Sequence, residues 1–137
     1  WLKEEYSNRM NVLKIPFTID CKSRVMINSD KSGVIRVLTQ FIENAIKYSD
    51  GKHIGVLIDK SDEGYEFVVG NTGSRVPENE EKYVFNSFYR GSNSENVEGN
   101  GLGLYEASFI ARKLGGTVAT RYNDQTSETE FCLFFPL

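Results

Sequence analysis

The chain has 137 residues, of which 39% are hydrophobic and 26% are charged, a composition that fits one compact domain with its own core. Its formal net charge of -3 excludes a nucleic-acid surface held by bulk electrostatics, and no apolar run approaches the length of a membrane span. Cys21 and Cys132 lie far apart in the sequence and fit neither a metal site nor a disulfide framework, so we assign them no chemistry.

The first half of the chain predicts two helices and several strands. Residues 2–13 predict a polar helix that ends before Pro16, and PFTID and RVMI predict two short strands. Ser29 or Asp30 is suited to cap the next helix. From Gly33 to Tyr48 the apolar residues recur at helical spacing, which predicts the clearest amphipathic helix of the chain.

The second half predicts strands around one long irregular segment. HIGVLID and YEFVV, separated by KSDEG, predict a hairpin, and TVATRY and EFCLFF predict the last two strands. Residues 70–101, interrupted by EKYVFNSFYR, predict a functional lid or a disordered stretch. A second amphipathic helix is expected from Leu104 to Leu114, ending at Gly115 and Gly116. Since helices and strands do not alternate strictly, the pattern favours an α+β fold with helices on one face of a sheet.

The first amphipathic helix carries a polar stripe beside its apolar one. Gln40, Asn44, Lys47 and Tyr48 fall within an arc of about 100 degrees. Such a stripe is typical of a solvated face, but also of a helix that borders a ligand cleft. The carbonyl oxygen of Asn44 is a suitable ligand for Mg²⁺, which usually completes its coordination with phosphate and water, and a nearby lysine offsets phosphate charge.

Three further features each have a structural and a functional interpretation. Asn71 before a glycine is typical of a turn, but its amide can also recognise a base. In VFNSFYRGS, Phe85 and Phe88 indicate either core or a clasp for a lid, with Arg90 able to reach an anion. His53, the only histidine, has no cysteine or second histidine to share a metal, so a structural or exposed role is expected.

The stretch EGNGLGL places alternate glycines directly before the second amphipathic helix. Glycines let a backbone approach a polyanion closely, and a helix N-terminus presents free N-H groups to it. A glycine repeat alone is more typical of a flexible loop than of a nucleotide site.

Taken in order, QFIENAIKYS, VVGNTGSRVP, VFNSFYRGS, GNGLGLYEASFIARKLGG and TEF resemble the ATP-binding catalytic domain of bacterial sensor histidine kinases. The resemblance runs from about residue 16 to 137. It implies an α/β sandwich of the Bergerat type: a mixed, mostly antiparallel sheet, covered on one face by helices, with an ATP lid over roughly residues 77 to 100. Residues 15–137 would form this domain, and residues 1–14 would be the helix end of a preceding dimerisation domain.

The resemblance implies roles for the polar stripe. Asn44 matches the Mg²⁺ ligand of the family and is one of the expected catalytic residues, together with Lys47. Lys47 and Tyr48 match residues that line the phosphates and ribose of ATP. Gln40 matches the other polar residue of this motif, commonly Asn or His.

The resemblance also implies how the base and the phosphates are bound. Asn71 falls where the family most often has the Asp that accepts the adenine amine, Gly73 matches the following glycine, and Thr129 matches a hydroxyl that helps to frame adenine. Arg90 matches a catalytic residue that can touch the terminal phosphate. The second glycine motif, expected around the phosphates, comprises Gly99, Gly101, Leu102, Gly103 and Leu104.

Three positions, Asn71, Arg75 and Glu128, depart from the family pattern, and Gln40 separates the chain from related ATPases. Asn71 keeps an acceptor for adenine but loses a charge-assisted bond, an effect of about 1 kcal/mol. Arg75 replaces a glycine, which stiffens the lid or adds a phosphate contact, and Glu128 replaces the glycine before Thr129. Gln40 stands where the ATP-hydrolysing relatives have a general-base Glu; it cannot take a proton, which favours phosphoryl transfer over hydrolysis.

The implied function is to bind ATP with Mg²⁺ and to donate the γ-phosphoryl group to a histidine on a separate dimerisation domain, for relay to a response regulator receiver domain. The fragment would be the cytoplasmic part of a membrane-anchored bacterial sensor, without direct contact to the membrane. Two alternatives are a degenerate nucleotide-binding module without kinase activity and an anti-sigma-factor serine kinase, against which the aromatic motif and the long lid argue.

Overall fold

The computed structural model describes residues 2–21, 30–86 and 102–136. The elements, in chain order, are α1 (Leu2–Leu13), β1 (Phe17–Cys21), α2 (Lys31–Tyr48), β2 (Ser49–Lys60), β3 (Gly64–Gly73), a 3-10 helix (Glu78–Tyr83), α3 (Leu102–Lys113), β4 (Thr117–Asn123) and β5 (Glu128–Pro136). The predicted strand RVMI and the alternative cap Ser29 lie outside the described residues.

The five strands form one sheet in the order β1-β2-β3-β5-β4. β1 pairs with β2 in parallel, and the other three pairings are antiparallel. The last strand, β5, therefore inserts between β3 and β4. This arrangement confirms the predicted mixed, mostly antiparallel sheet.

α2 begins at an aspartate cap. Asp30 Oδ1 accepts a hydrogen bond of 3.0 Å from the Ser32 N-H, which satisfies one of the free donors of the first turn. The helix starts two residues before the predicted Gly33 and ends, as predicted, at Tyr48.

α2 and α3 pack against each other in antiparallel directions. Gly33, near the start of α2, lies so close to Leu114 that a Cβ atom at Gly33 would be 2.9 Å from the leucine Cδ1. At the other end of the contact, Gln40 lies beside Gly103 in the first turn of α3. α3 stops at Gly115, whose φ of +86° favours glycine, and the Gly116 N-H donates to the Ala111 carbonyl at 2.8 Å.

The core lies between the helices and one face of the sheet. Phe41 of α2 is fully buried, and its ring centroid is 5.7 Å from that of Phe131 on β5. Tyr6 and Met10 attach α1 to the same core. The inward-facing side chains of the central strands are Ile54, Val56, Phe67, Val69, Phe131 and Leu133. The predicted α+β layering is thus confirmed, while the assignment of residues 1–14 to a preceding domain stays a prediction.

In the part of the chain that the structure describes, no helix is both long enough and apolar enough to span a membrane.

Candidate functional site

The polar stripe of α2 borders its buried face. Gln40, Asn44 and Tyr48 are half-buried, and Lys47 is exposed. Phe41 and Ala45 beside them are buried in the core. The stripe thus lies at the edge of the interface between α2 and the sheet. A ligand held between the helix layer and the sheet would contact the stripe there.

The end of α2 is joined to the end of β3 by a close backbone approach. The Ser74 N-H donates to the Tyr48 carbonyl at 3.1 Å. Gly73 has φ +119°, and a Cβ atom there would be 2.6 Å from both the Tyr48 oxygen and the Asp50 nitrogen. Only glycine fits this position without moving backbone, so the expected Mg²⁺ helix and the expected adenine strand are held together.

Asn71 carries a buried amide whose oxygen accepts from no group in the described part of the chain. The residue is 2% exposed, and its Nδ2 donates to the Thr72 carbonyl at 3.0 Å. Among residues 2–21, 30–86 and 102–136, no group donates to the Asn71 side-chain oxygen. Because a buried acceptor without a partner costs about 1–3 kcal/mol, this oxygen is poised for a ligand donor such as an amine.

Thr129 lies directly beside Asn71 on the same face of the sheet. The two residues are paired in the register of β3 and β5. Thr129 is buried, and its hydroxyl donates to the Ser74 carbonyl at 3.1 Å. The structure therefore brings together the two residues expected to frame adenine.

Glu128 and Arg75, two of the departures from the family pattern, lie on opposite faces of the sheet: Glu128 points away from this pair, whereas Arg75 contacts Tyr122, the partner of Thr129 in the register of β4 and β5. Strand alternation puts the Glu128 side chain on the opposite face from Thr129, where its Oε2 lies 2.9 Å from His53 Nδ1. The Arg75 guanidinium stacks on the Tyr122 ring, 4.2 Å from the ring centroid. Glu128 thus does not occupy the face of the sheet on which Asn71 and Thr129 lie. The contact of Arg75 with Tyr122 joins the start of the expected lid to β4.

Phe85 holds the segment after the 3-10 helix to the core. Its ring centroid lies 6.4 Å from Phe41 and 6.1 Å from Phe131. Val84 beside it is buried. Phe85 therefore packs on the core, which fits both of its interpretations, as core and as a clasp for a lid, and Phe88 lies outside the described residues.

The first turn of α3 lies against the polar stripe. A Cβ atom at Gly103 would be 2.6 Å from Gln40 Oε1, so the Gln40 amide contacts the backbone of the helix that follows the glycine motif. Leu104 packs against the core from the same turn. The other expected phosphate-site residues, Gly99 and Gly101, and the expected catalytic Arg90, lie outside the described residues, as does the side chain of Leu102.

Glu43, the carboxylate next to Asn44, is engaged elsewhere. Its Oε2 accepts hydrogen bonds from the Tyr6 hydroxyl at 2.8 Å and from Arg9. Burial disfavours the charged form of Glu43, but the hydrogen bonds from Arg9 and Tyr6 outweigh it, so the pKa of Glu43 is lowered. Glu43 therefore attaches α1 to α2 and does not supply the general base that Gln40 lacks.

No sequence pattern indicates the hydrogen bonds that His53 makes in the structure. His53 bonds to Glu128 and, through Nε2, lies 3.0 Å from the Thr18 hydroxyl, which agrees with the expected structural role. The alternation of β5 alone indicates that Glu128 and Thr129 face opposite sides, but the partner of Glu128 follows only from the order of the strands. In the described part of the chain, no cluster of three or more His, Cys, Asp or Glu residues could hold a metal.

Comparison with known proteins identifies the family. The family described as "Histidine kinase-, DNA gyrase B-, and HSP90-like ATPase" matches residues 29–137. The "Signal transduction histidine-protein kinase/phosphatase MprB" of Mycobacterium sp. (strain KMS) is 33% identical over 94 residues, which are 67% of this chain and 18% of that relative. The chain thus spans about a fifth of the length of the curated relative it matches.

Solved structures agree with the sequence comparison. A structure described as "Mycobacterial sensor histidine kinase MprB" superimposes with a TM-score of 0.84 and 25% identity, covering 98% of this chain and 93% of that one. The histidine kinase ThkA, solved in complex with the response regulator protein TrrA, has a TM-score of 0.73 and 22% identity over 98% of this chain and 37% of that one. The chain therefore belongs to the histidine kinase-, DNA gyrase B- and HSP90-like ATPase family, and its fold and enzyme class are those of histidine kinase catalytic domains.

Proposed function

We propose that the chain binds ATP with Mg²⁺ and donates the γ-phosphoryl group to a histidine on a separate dimerisation domain of the same sensor kinase. The buried side-chain oxygen of Asn71, to which no described residue donates, is the observation that carries the proposal. It lies beside Thr129 and two residues before Gly73, which contacts the end of α2. An adenine amine would satisfy this oxygen while the phosphates extend towards the polar stripe.

The residues of α2 and α3 fit the triphosphate end of the nucleotide. Asn44 is half-buried at the rim of the site and offers an amide oxygen for Mg²⁺, whose remaining ligands would be phosphate and water. The bound ion would neutralise charge on the transferred phosphoryl group. Lys47 would offset phosphate charge, Tyr48 would lie along the ribose and phosphates, and the backbone around Gly103 would donate N-H groups to the phosphates.

Catalysis in this proposal depends on positioning and charge neutralisation. Phosphoryl transfer needs little covalent chemistry from the protein. Gln40 cannot accept a proton, and Glu43 is bonded to α1, so neither residue activates water. The phosphoryl group would therefore pass to the histidine acceptor rather than to water, with Arg90 on the terminal phosphate.

The wider assignments are also proposals. The ThkA complex supports a response regulator receiver domain as the final acceptor. The MprB relative, a signal transduction histidine-protein kinase/phosphatase, supports a role in signal transduction. That this chain is the cytoplasmic part of a membrane-anchored sensor follows from the resemblance alone.

Isothermal titration calorimetry of the 137-residue chain tests the nucleotide step. We expect ATP to bind in the presence of Mg²⁺, and we expect Asn44→Asp or removal of Mg²⁺ to weaken binding at least about tenfold. Asn11→Asp makes the same change of charge at an exposed position of α1 and should leave the affinity unchanged. Absence of binding at millimolar ATP, or binding that neither change affects, would refute the proposal.

The transfer step needs an acceptor. With γ-labelled ATP and the histidine-bearing dimerisation domain added in trans, we expect an acid-labile, alkali-stable phosphoryl label on that domain and none on this chain. ATP binding without transfer to any histidine would instead support the degenerate module.

A further inference from the structure

The pairing of β2 with β3 is irregular beside the candidate base site. Residues 50–53 lie opposite the single residue Thr72, which directly follows Asn71. In this irregularity the His53 N-H donates to the Thr72 hydroxyl at 3.1 Å, and that hydroxyl donates to Asp50 Oδ1 at 2.6 Å. Side-chain hydrogen bonds therefore replace ladder hydrogen bonds at the end of β3 that carries Asn71.

The His53 ring connects three strands on the face of the sheet opposite the described helices α2 and α3. Nδ1 lies 2.9 Å from Glu128 Oε2 on β5, and Nε2 lies 3.0 Å from the Thr18 hydroxyl on β1. The Glu128 side chain is only 12% exposed. When the neutral ring is protonated at Nδ1, it donates to Glu128 and accepts from Thr18, so both ring nitrogens are satisfied without a net charge on the histidine.

Two paired glycines leave room for this contact. Gly55 of β2 lies opposite Gly70 of β3. A Cβ atom at Gly55 would be 2.9 Å from His53 Cε1, and one at Gly70 would be 3.5 Å from Glu128 Oε2. The imidazole and the carboxylate can therefore meet across β3, directly over its backbone.

This contact lies immediately behind the two residues expected to frame adenine. Thr72 follows Asn71, Glu128 precedes Thr129, and strand alternation places these neighbours on opposite faces. The Asn71 amide nitrogen is itself bonded to the Thr72 carbonyl. Displacement of Thr72 or Glu128 would thus redirect the acceptor oxygen of Asn71 and the hydroxyl of Thr129.

We propose that His53 and Glu128 are positioning residues for the base site. Their hydrogen bond, together with Thr72, holds the ends of β3 and β5 in the arrangement that directs Asn71 and Thr129 towards adenine. The proposal rests on the proposed binding of ATP.

The test compares ATP with purine riboside triphosphate, which lacks the 6-amino group, by calorimetry of the 137-residue chain with Mg²⁺. In His53→Ala and Glu128→Gln we expect ATP to bind about three- to tenfold more weakly and purine riboside triphosphate to change less than twofold. The double variant should bind ATP no more weakly than the weaker single variant, because both changes act on the same contact.

Glu130→Gln is the matched control. Glu130 has the same residue type, strand, face and burial as Glu128, but its carboxylate accepts from Arg121 and Asn123 on β4. We expect it to preserve the ratio of the two affinities. If either His53→Ala or Glu128→Gln fails to fold, Thr72→Val tests the same set of hydrogen bonds.

Each other outcome is decisive. Equal weakening of both nucleotides would mean that His53 and Glu128 act only on general stability, and unchanged ATP affinity in the variants would also overturn the proposal. The same selective loss in Glu130→Gln would show that the effect is not specific to the contact between His53 and Glu128. If the wild-type chain does not bind ATP, the proposed function itself is wrong. If the wild-type chain and the variants bind ATP equally well, only the positioning role of His53 and Glu128 is wrong.

Discussion

Replacing Gly73 with alanine tests the contact between the end of α2 and the end of β3. Gly73 has φ +119°, and an alanine Cβ would lie 2.6 Å from two backbone atoms, the Tyr48 oxygen and the Asp50 nitrogen. Ordinary van der Waals contact of a Cβ begins at 3.4 Å, so the backbones must separate by several tenths of an ångström. Neither obstacle is a side chain that could rotate away.

The expected loss of stability follows from these two effects. The unfavourable φ costs about 1–2 kcal/mol for a residue with a Cβ, and overpacking against fixed atoms costs about 1–3 kcal/mol more. We therefore expect Gly73→Ala to lower the free energy of unfolding by about 2–5 kcal/mol. Gly73→Ala should also weaken ATP binding by more than the smaller folded fraction explains. The reason is that Asn71 lies two residues earlier on the same strand.

Gly51→Ala is the control for backbone strain. Gly51 also has positive φ, +85°, but a Cβ atom there meets nothing within 4 Å. Its replacement should cost only about 1–2 kcal/mol. Urea unfolding followed by circular dichroism measures both variants. Equal losses for the two glycines would refute the close approach of α2 and β3.

Three further predictions concern contacts around the site. Phe85→Ala should lower the free energy of unfolding by about 2–3 kcal/mol and weaken ATP binding, whereas alanine at the exposed Tyr83 should change unfolding by less than about 0.5 kcal/mol. Gly103→Ala should leave the urea midpoint unchanged or raise it. The alanine Cβ meets only the end of the flexible Gln40 side chain, and alanine favours a helix over glycine by about 1 kcal/mol. Calorimetry should nevertheless show weaker ATP binding. The pKa of Glu43 is lower in the folded chain than in the unfolded chain. Its negative charge therefore stabilises the fold at pH values above its pKa in the unfolded chain, and this stabilisation is lost as the pH falls through its pKa in the folded chain. Glu43→Gln should thus lower the free energy of unfolding by about 1 kcal/mol at pH 7 and by progressively less below about pH 4.5. Urea unfolding at several pH values measures this difference. A difference that stays the same at low pH would contradict the expectation.

Glu128, one of the departures from the family pattern, does not obstruct the candidate base site, because it faces the side of the sheet away from Asn71. Arg75 lies on the same face as Asn71 and is stacked on Tyr122, the partner of Thr129 in the register of β4 and β5. Asn71 makes its hydrogen bond to the Thr72 carbonyl through the amide nitrogen, so the bond leaves its acceptor oxygen available.

The sequence by itself determined the local elements and the identity of the candidate residues. The apolar spacing of α2, its aspartate cap and the glycine stop after α3 are encoded within a few residues, so periodicity and capping rules predict them. The order and spacing of the motifs were specific enough to indicate the family without a structure, because several weak signals at fixed separations are jointly much rarer than any one of them.

Only the tertiary structure decided which side chains meet. β5 lies between β3 and β4, so contacts between Asn71 and Thr129, or between His53 and Glu128, join residues more than fifty positions apart. The same is true of Glu43, whose partners on α1 lie at a separation of 34 and 37 positions. No local pattern specifies such pairs, because they follow from how sheet order and helix packing close the core.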